Sequence, residues 1–209
     1  MSIVVFQHEP KEGPSLLGEV LRSYGHGLHV VRLYEGQGLP ADLDNVHAVL
    51  SLGGAANVGE NLRYPWLPAE MEYLKRAHDA GLPIVGLCLG AQLIAASLGG
   101  EVGAMDVPEA GWRPVKLNFP GTTDPVFTGL PWRSLQMHLH GQEVKRLPGG
   151  AVGLASSPAC KVQAFRAGAR TYGFQYHFEW TVAEIDALAH EPMFERGGVP
   201  ALHLREETR

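Results

Sequence analysis

Two hydrophobic periods alternate along the first hundred residues. Ile3 to Phe6, Leu28 to Leu33, Val46 to Leu52 and Pro83 to Leu87 are short, nearly continuous apolar runs of strand length. Between them, Leu16 to Tyr24, Ala69 to Ala80 and Leu89 to Leu98 place apolar residues at helical spacing, and Gly25, Gly81 and Gly99 follow them as stops. Repeated strand–helix units predict a largely parallel central sheet with helices on both faces. Sites in such sheets form beyond the C-terminal ends of the strands.

From Glu101 the pattern changes. Trp112 to Leu117, Leu135 to His140, Ala151 to Ala155, Lys161 to Ala167 and Thr171 to Phe178 read as strands separated by Gly- and Pro-rich turns. They predict antiparallel additions to the same sheet, or a small second sheet. Thr181 to His190 closes the pattern with a helix, Thr181 as N-cap and Glu184 completing a capping box. No linker or repeat divides the chain. One α/β domain is expected over residues 1–192, with 193–209 as a C-terminal tail.

Composition narrows the function classes. The 209 residues are 45% hydrophobic and 19% charged, with a formal net charge of −5, so no general attraction to nucleic acid or an anionic membrane is expected. The apolar start is too short for a signal peptide or a membrane span. Two cysteines do not make a disulfide scaffold, which points to a reducing cytoplasm. Cys160 reads as a small buried hydrophobe. Of the ten histidines only His138 and His140 form a tight pair, and no third ligand lies close in sequence, so no metal is assigned.

Chemistry concentrates at Cys88. It follows an apolar run, precedes a helix and is flanked by Gly86 and Gly90, the small residues that a sharp strand-to-helix turn requires. Such a turn lifts the side chain to the sheet edge, where the helix N–H groups favour an anionic sulfur. A cysteine nucleophile needs a base, and the base needs an orienting partner. The run Phe174 to Glu179, read as a strand, puts Gln175, His177 and Glu179 on one face, with about 6.6 Å between alternate alpha carbons. Gly53-Gly54 ends the third strand with unhindered amides. One of these, with the N–H of Leu89, is suited to hold a developing oxyanion. Gln92 lies one helical turn beyond Cys88, placed either for a polar substrate group or for capping local backbone.

The segment Gly86 to Gln92, the later His177-Phe178-Glu179 and their order after Gly53-Gly54 resemble the class I (triad-type) glutamine amidotransferases, over residues 46–180. Arg63-Tyr64-Pro65-Trp66, a Gly111-Trp112 turn and Ser156 to Cys160 are similar to free-standing proteins related to the glutaminase domain of GMP synthase. The resemblance implies a flavodoxin-like architecture and a cofactor-free reaction. Cys88 attacks the side-chain amide of glutamine or a related γ-glutamyl compound, and His177, oriented by Glu179, carries the proton. Gly54 and Leu89 hold the oxyanion. Gln92, His140 and Gly141 line the substrate site. A separate synthase subunit would accept the ammonia, since no synthetase domain follows. Three positions depart from the family. Phe178 replaces a proline, Ala55 replaces another and implies a more mobile Gly-Gly turn, and Gln142 stands in place of an aspartate.

Two other readings fit parts of the pattern. Gly86-x-Cys88-x-Gly90 also suits a Cys-type α/β-hydrolase acting on esters, but there the acid precedes the histidine, whereas here it follows by two residues. A non-catalytic regulatory protein would use Cys88 as a redox sensor. The Tyr64-Pro65-Trp66 loop is placed either to cover the pocket, to meet a partner, or to anchor itself in the core.

Overall fold

The computed structural model describes residues 1–188. Five parallel strands form one half of a single nine-stranded sheet: β1 (Ser2–Gln7), β2 (Gly27–Arg32), β3 (Ala48–Ser51), β4 (Ile84–Leu87) and β9 (Thr171–Phe174). The other half is antiparallel: β5 (Glu101–Leu117), β6 (Arg133–Arg146), β7 (Val152–Ser156) and β8 (Ala164–Ala167). The strand order is β2-β1-β3-β4-β9-β8-β7-β5-β6. The antiparallel strands thus extend the same sheet.

Alternation along β1 sorts the core into two layers. Val4 and Phe6 face one side, with Tyr73, Leu74 and Ala77 of α2 (Leu67–Asp79) and Leu93 and Ile94 of α3 (Leu89–Ser97). Ile3 and Val5 face the other, with Leu17 and Leu21 of α1 (Ser15–Ser23) and with Phe127, beyond the short helix α4 (Phe119–Thr123). Helices therefore cover both faces. Tyr64 and Trp66 pack against the first layer, so that loop is an anchor.

Several boundaries differ from the sequence reading. β5 and β6 are much longer than expected and form a ladder offset by a bulge between Ala104 and Glu109. Gly111-Trp112, read as a turn, lies within β5, where Gly111 takes φ 80°. β9 ends at Phe174 rather than running to Phe178. Its neighbour β4 stops at Leu87, paired with Phe174, so the following residues have no ladder to join on that side. The capping box at Thr181 is present: Glu184 accepts from the Thr181 N–H at 2.6 Å, at the start of α5 (Val182–Leu188). Residues 189–190 of the expected helix and the boundary at 192 lie outside the described residues. Among those described, no helix is long and apolar enough to cross a membrane.

Candidate active site

The residues singled out from sequence meet at the C-terminal edge of the parallel strands. Cys88 is the junction between β4 and α3 and takes φ 49°, ψ −105°, a positive-φ conformation costly for a non-glycine residue. The turn is tight because its flanking glycines are in contact. A Cβ on Gly86 would sit 2.6 Å from the Gly90 backbone, and one on Gly90 would collide with the Ser51 carbonyl. The Cys88 N–H donates to the Phe174 carbonyl at 2.8 Å, which ties the elbow to the end of β9.

His177 and Glu179 stand beyond that end, on a bend held by one bridge to Met137. This corrects the expectation that both lie on a strand. The pair forms nonetheless, with His177 Nδ1 2.7 Å from Glu179 Oε1. Both side chains are buried. A carboxylate can only accept, so Nδ1 carries a proton; Nε2 is buried without a hydrogen-bond partner, and the Cys88 thiol meets the Leu139 carbonyl at 3.8 Å. Burial works to lower the His177 pKa, but the Glu179 carboxylate and the Cys88 sulfur outweigh it and hold it well above the usual histidine value. Trp180 stacks on the imidazole, centroids 3.6 Å apart and planes 14° apart, which fixes the ring orientation. Phe178 is 42% exposed and points away from the buried pair.

Gly53-Gly54 is tied down more firmly than Ala55 implies. The Gly53 carbonyl accepts from His8 Nδ1 at 3.0 Å, and His8 Nε2 donates to Glu70 at 2.8 Å. Both His8 nitrogens face acceptors, so the ring is an imidazolium paired with a fully buried carboxylate. Burial opposes that charge, and Glu70 restores it, raising the His8 pKa. Trp66 stacks on His8, and Ser51 donates to Glu70 at 2.7 Å. The motif reading did not find this network, because its members are 62 and 19 residues apart in sequence.

A pocket of about 380 Å³ opens at this edge, lined by Cys88, Leu89, Gly54, Gln92, His140 and Gly141, among others. That is within the size range of small-ligand sites. Gln92 donates to the Gln142 carbonyl at 3.0 Å and to Gln175 at 3.1 Å. His140 turns both ring nitrogens to protein, Nδ1 to the Gln142 carbonyl at 3.0 Å and Nε2 to Glu109 at 3.2 Å. Its side chain is therefore committed away from the pocket. Sequence reasoning also missed Glu12, a pocket residue whose carboxyl approaches Gly53 alongside His177. Burial, helped by the Glu179 charge, raises Glu12 to about 7 against the opposing pull of His177 and His8. Cys160 is fully buried, and burial pushes its thiol up, as expected of a core residue.

The family model described as "Glutamine amidotransferase class-I" matches residues 15–191. The glutamine amidotransferase-like protein YfeJ of Salmonella typhimurium is 29% identical over 184 residues, 87% of this chain and 77% of that protein. The glutamine-hydrolyzing GMP synthase subunit of Thermoplasma volcanium is 35% identical over 138 residues, 66% of this chain and 64% of that one. Against the GMP synthase of Caldicellulosiruptor saccharolyticus the match is 41% identical but spans half of this chain and only 20% of that protein. A crystal structure of a glutamine amidotransferase from Thermotoga maritima shares the fold, with a TM-score of 0.90 over 100% of this chain and 90% of that one at 23% identity. The family model spans most of the chain, and the fold agrees: the chain belongs to the class I glutamine amidotransferases.

Proposed function

We propose that this chain hydrolyses the γ-amide of glutamine, or of a related γ-glutamyl compound, through a thioester on Cys88. The Cys88 sulfur forms a bond to the amide carbon, and its proton passes through His177 to the departing nitrogen, which leaves as ammonia or an amine. Water activated by the same imidazole then cleaves the γ-glutamyl thioester, restoring the thiol and releasing glutamate. Glu179 and the stacked Trp180 hold the imidazole. The N–H groups of Gly54 and Leu89 stabilise both oxyanions. The Gln92 amide nitrogen is already engaged twice, so substrate contact falls to its carbonyl oxygen. His140 and Gly141 contribute wall and backbone. The observation that carries the reading is a strained cysteine elbow beside a buried His–Glu pair, opening on a small pocket. Relatives named as a GMP synthase subunit support a separate protein that accepts the ammonia. Two free cysteines suit a reducing cytoplasm as the setting.

The test is a panel of γ-glutamyl amides and peptides, assayed with purified protein and with cell extract added. Ammonia or amine release is expected, with a γ-glutamyl adduct on Cys88 by mass spectrometry. Cys88→Ala should lose roughly 10⁴-fold or more in rate. Activation by extract supports a missing acceptor protein, and strong activity alone supports a free-standing hydrolase. A wild-type protein that forms no thioester with any of these compounds, or that turns over simple esters instead, overturns the reading.

A further inference from the structure

The pair His138 and His140 gains in three dimensions the third donor it lacks nearby in sequence. In the β5–β6 ladder Glu109 lies directly opposite His140, and Gly111 opposite His138. The bulge between Ala104 and Glu109 sets this register. Glu109, His138 and His140 are all buried, and their donor atoms cluster.

The hydrogen-bond roles define what those atoms present. His140 Nδ1 faces the Gln142 carbonyl at 3.0 Å and must donate, so Nε2 either carries a second proton toward Glu109 or presents a lone pair. That nitrogen meets the Glu109 Oε2 at 3.2 Å and His138 Nδ1 at 3.3 Å. The carboxylate is held from behind by Gln163, which donates to Oε2 at 2.7 Å, and by Ser157, which donates to Oε1 at 3.0 Å. Lone pairs converging in a buried site are costly unless a cation or proton lies between them. A proton on His140 Nε2 shared with Glu109 is one way to join these donors, and a cation in that proton's place, with His138 Nδ1 as the third donor, is the other.

The triangle of donors discriminates between ions. With the third side at 3.9 Å, the in-plane point equidistant from the three atoms lies about 2.0 Å from each, and an ion raised from that plane to a tetrahedral position lies about 2.1 Å from each, within the range of zinc bonds to imidazole nitrogen and carboxylate oxygen. Calcium requires more oxygen donors at longer distances. A tetrahedral ion at about 2.1 Å has donor–donor edges of about 3.4 Å, against about 3.0 Å for an octahedral one, and the observed sides are nearer the first.

We propose that Glu109, His138 and His140 bind a zinc-type divalent cation, with Gln163 and Ser157 orienting the carboxylate and the Gln142 carbonyl fixing the His140 tautomer. The ion clamps β5 to β6. Through His140 it steadies the Gln142 carbonyl that also receives the Gln92 amide. It is a positioning ion for the pocket wall, and its binding is independent of whether glutamine is the substrate.

The test uses the full chain, stripped with a chelator, reloaded with zinc and freed of excess metal. Metal analysis should return close to one zinc per chain for the wild type and equally for Cys88→Ala, which removes the competing thiol. Glu109→Gln and His138→Gln should each weaken binding at least tenfold in that background while keeping the wild-type circular dichroism. Cobalt in place of zinc should give tetrahedral visible absorption without a sulfur-to-metal charge-transfer band. Less than a tenth of a zinc per wild-type chain, loss of binding in Cys88→Ala, a sulfur charge-transfer band, or unchanged binding in both folded ligand variants each overturns the site. Should the ligand variants not fold, the stoichiometries of wild type and Cys88→Ala and the cobalt spectrum decide.

Discussion

At the residue scale the site is a set of charges that burial has placed at odds with their ordinary protonation. Glu12 is the clearest. A carboxyl near 7 in the folded chain and near 4.5 when unfolded binds its proton more tightly in the native state. Its favourable contribution is complete below pH 4.5, declines as the pH rises through that window, and is gone above about 7. Glu12→Gln should therefore match the wild type near pH 4.5 and exceed its stability by about 3 kcal/mol at pH 8. Urea denaturation at both pH values checks this, and an equal offset at the two would refute it. Cys88, His177 and Glu179 were legible as residue types in a motif. Glu12 and Trp180 were not, because neither sits in a pattern, and only the chain path brings them to the imidazole.

At the element scale the β4–α3 elbow depends on two backbones touching. Gly90→Ala would drive a Cβ into the Ser51 carbonyl, and backbone cannot yield as a side chain can. A loss of about 3 kcal/mol is expected, together with most of any activity of the proposed amide hydrolysis. Gly149→Ala, where nothing lies within 4 Å of the added atom, serves as the neutral control. Equal denaturation midpoints for the two variants would show that the contact is unimportant. Strand and helix types in the parallel half followed from periodicity, since each buried strand there is a short apolar run. The extents of β5, β6 and β9 did not. Their limits are set by pairing partners: β9 ends where β4 ends, and β5 and β6 lengthen because each lies against the other.

Across the whole molecule, the His8–Glu70–Ser51 network joins the ends of β1 and β3 to α2 behind the Gly53-Gly54 turn. Glu70→Leu leaves a buried imidazolium without its counter-charge, at a cost of about 3–5 kcal/mol. For a domain of this length that lowers the melting temperature by roughly 10 °C in calorimetry. The sign with pH follows from His8. Its folded pKa is raised, so the pair's contribution is complete below 6.5 and is lost as the pH passes the folded value. The deficit of the variant should accordingly be largest in mild acid and shrink in alkali. A shift under about 2 °C near pH 6 would contradict the assignment of the pair.

By itself, the sequence determined the α/β class, the parallel half, the elbow at Cys88 and the pairing of His177 with Glu179. These follow from local rules: hydrophobic period, the glycines a sharp turn needs, and residues two apart in one short segment. Tertiary structure alone decided that the antiparallel strands extend one sheet, that His8 and Glu70 brace the glycine turn, and that Glu109 faces His138 and His140. Each of these rests on strand register or on contacts between residues far apart in the chain, and a local pattern carries no information about which distant segment lies across from it.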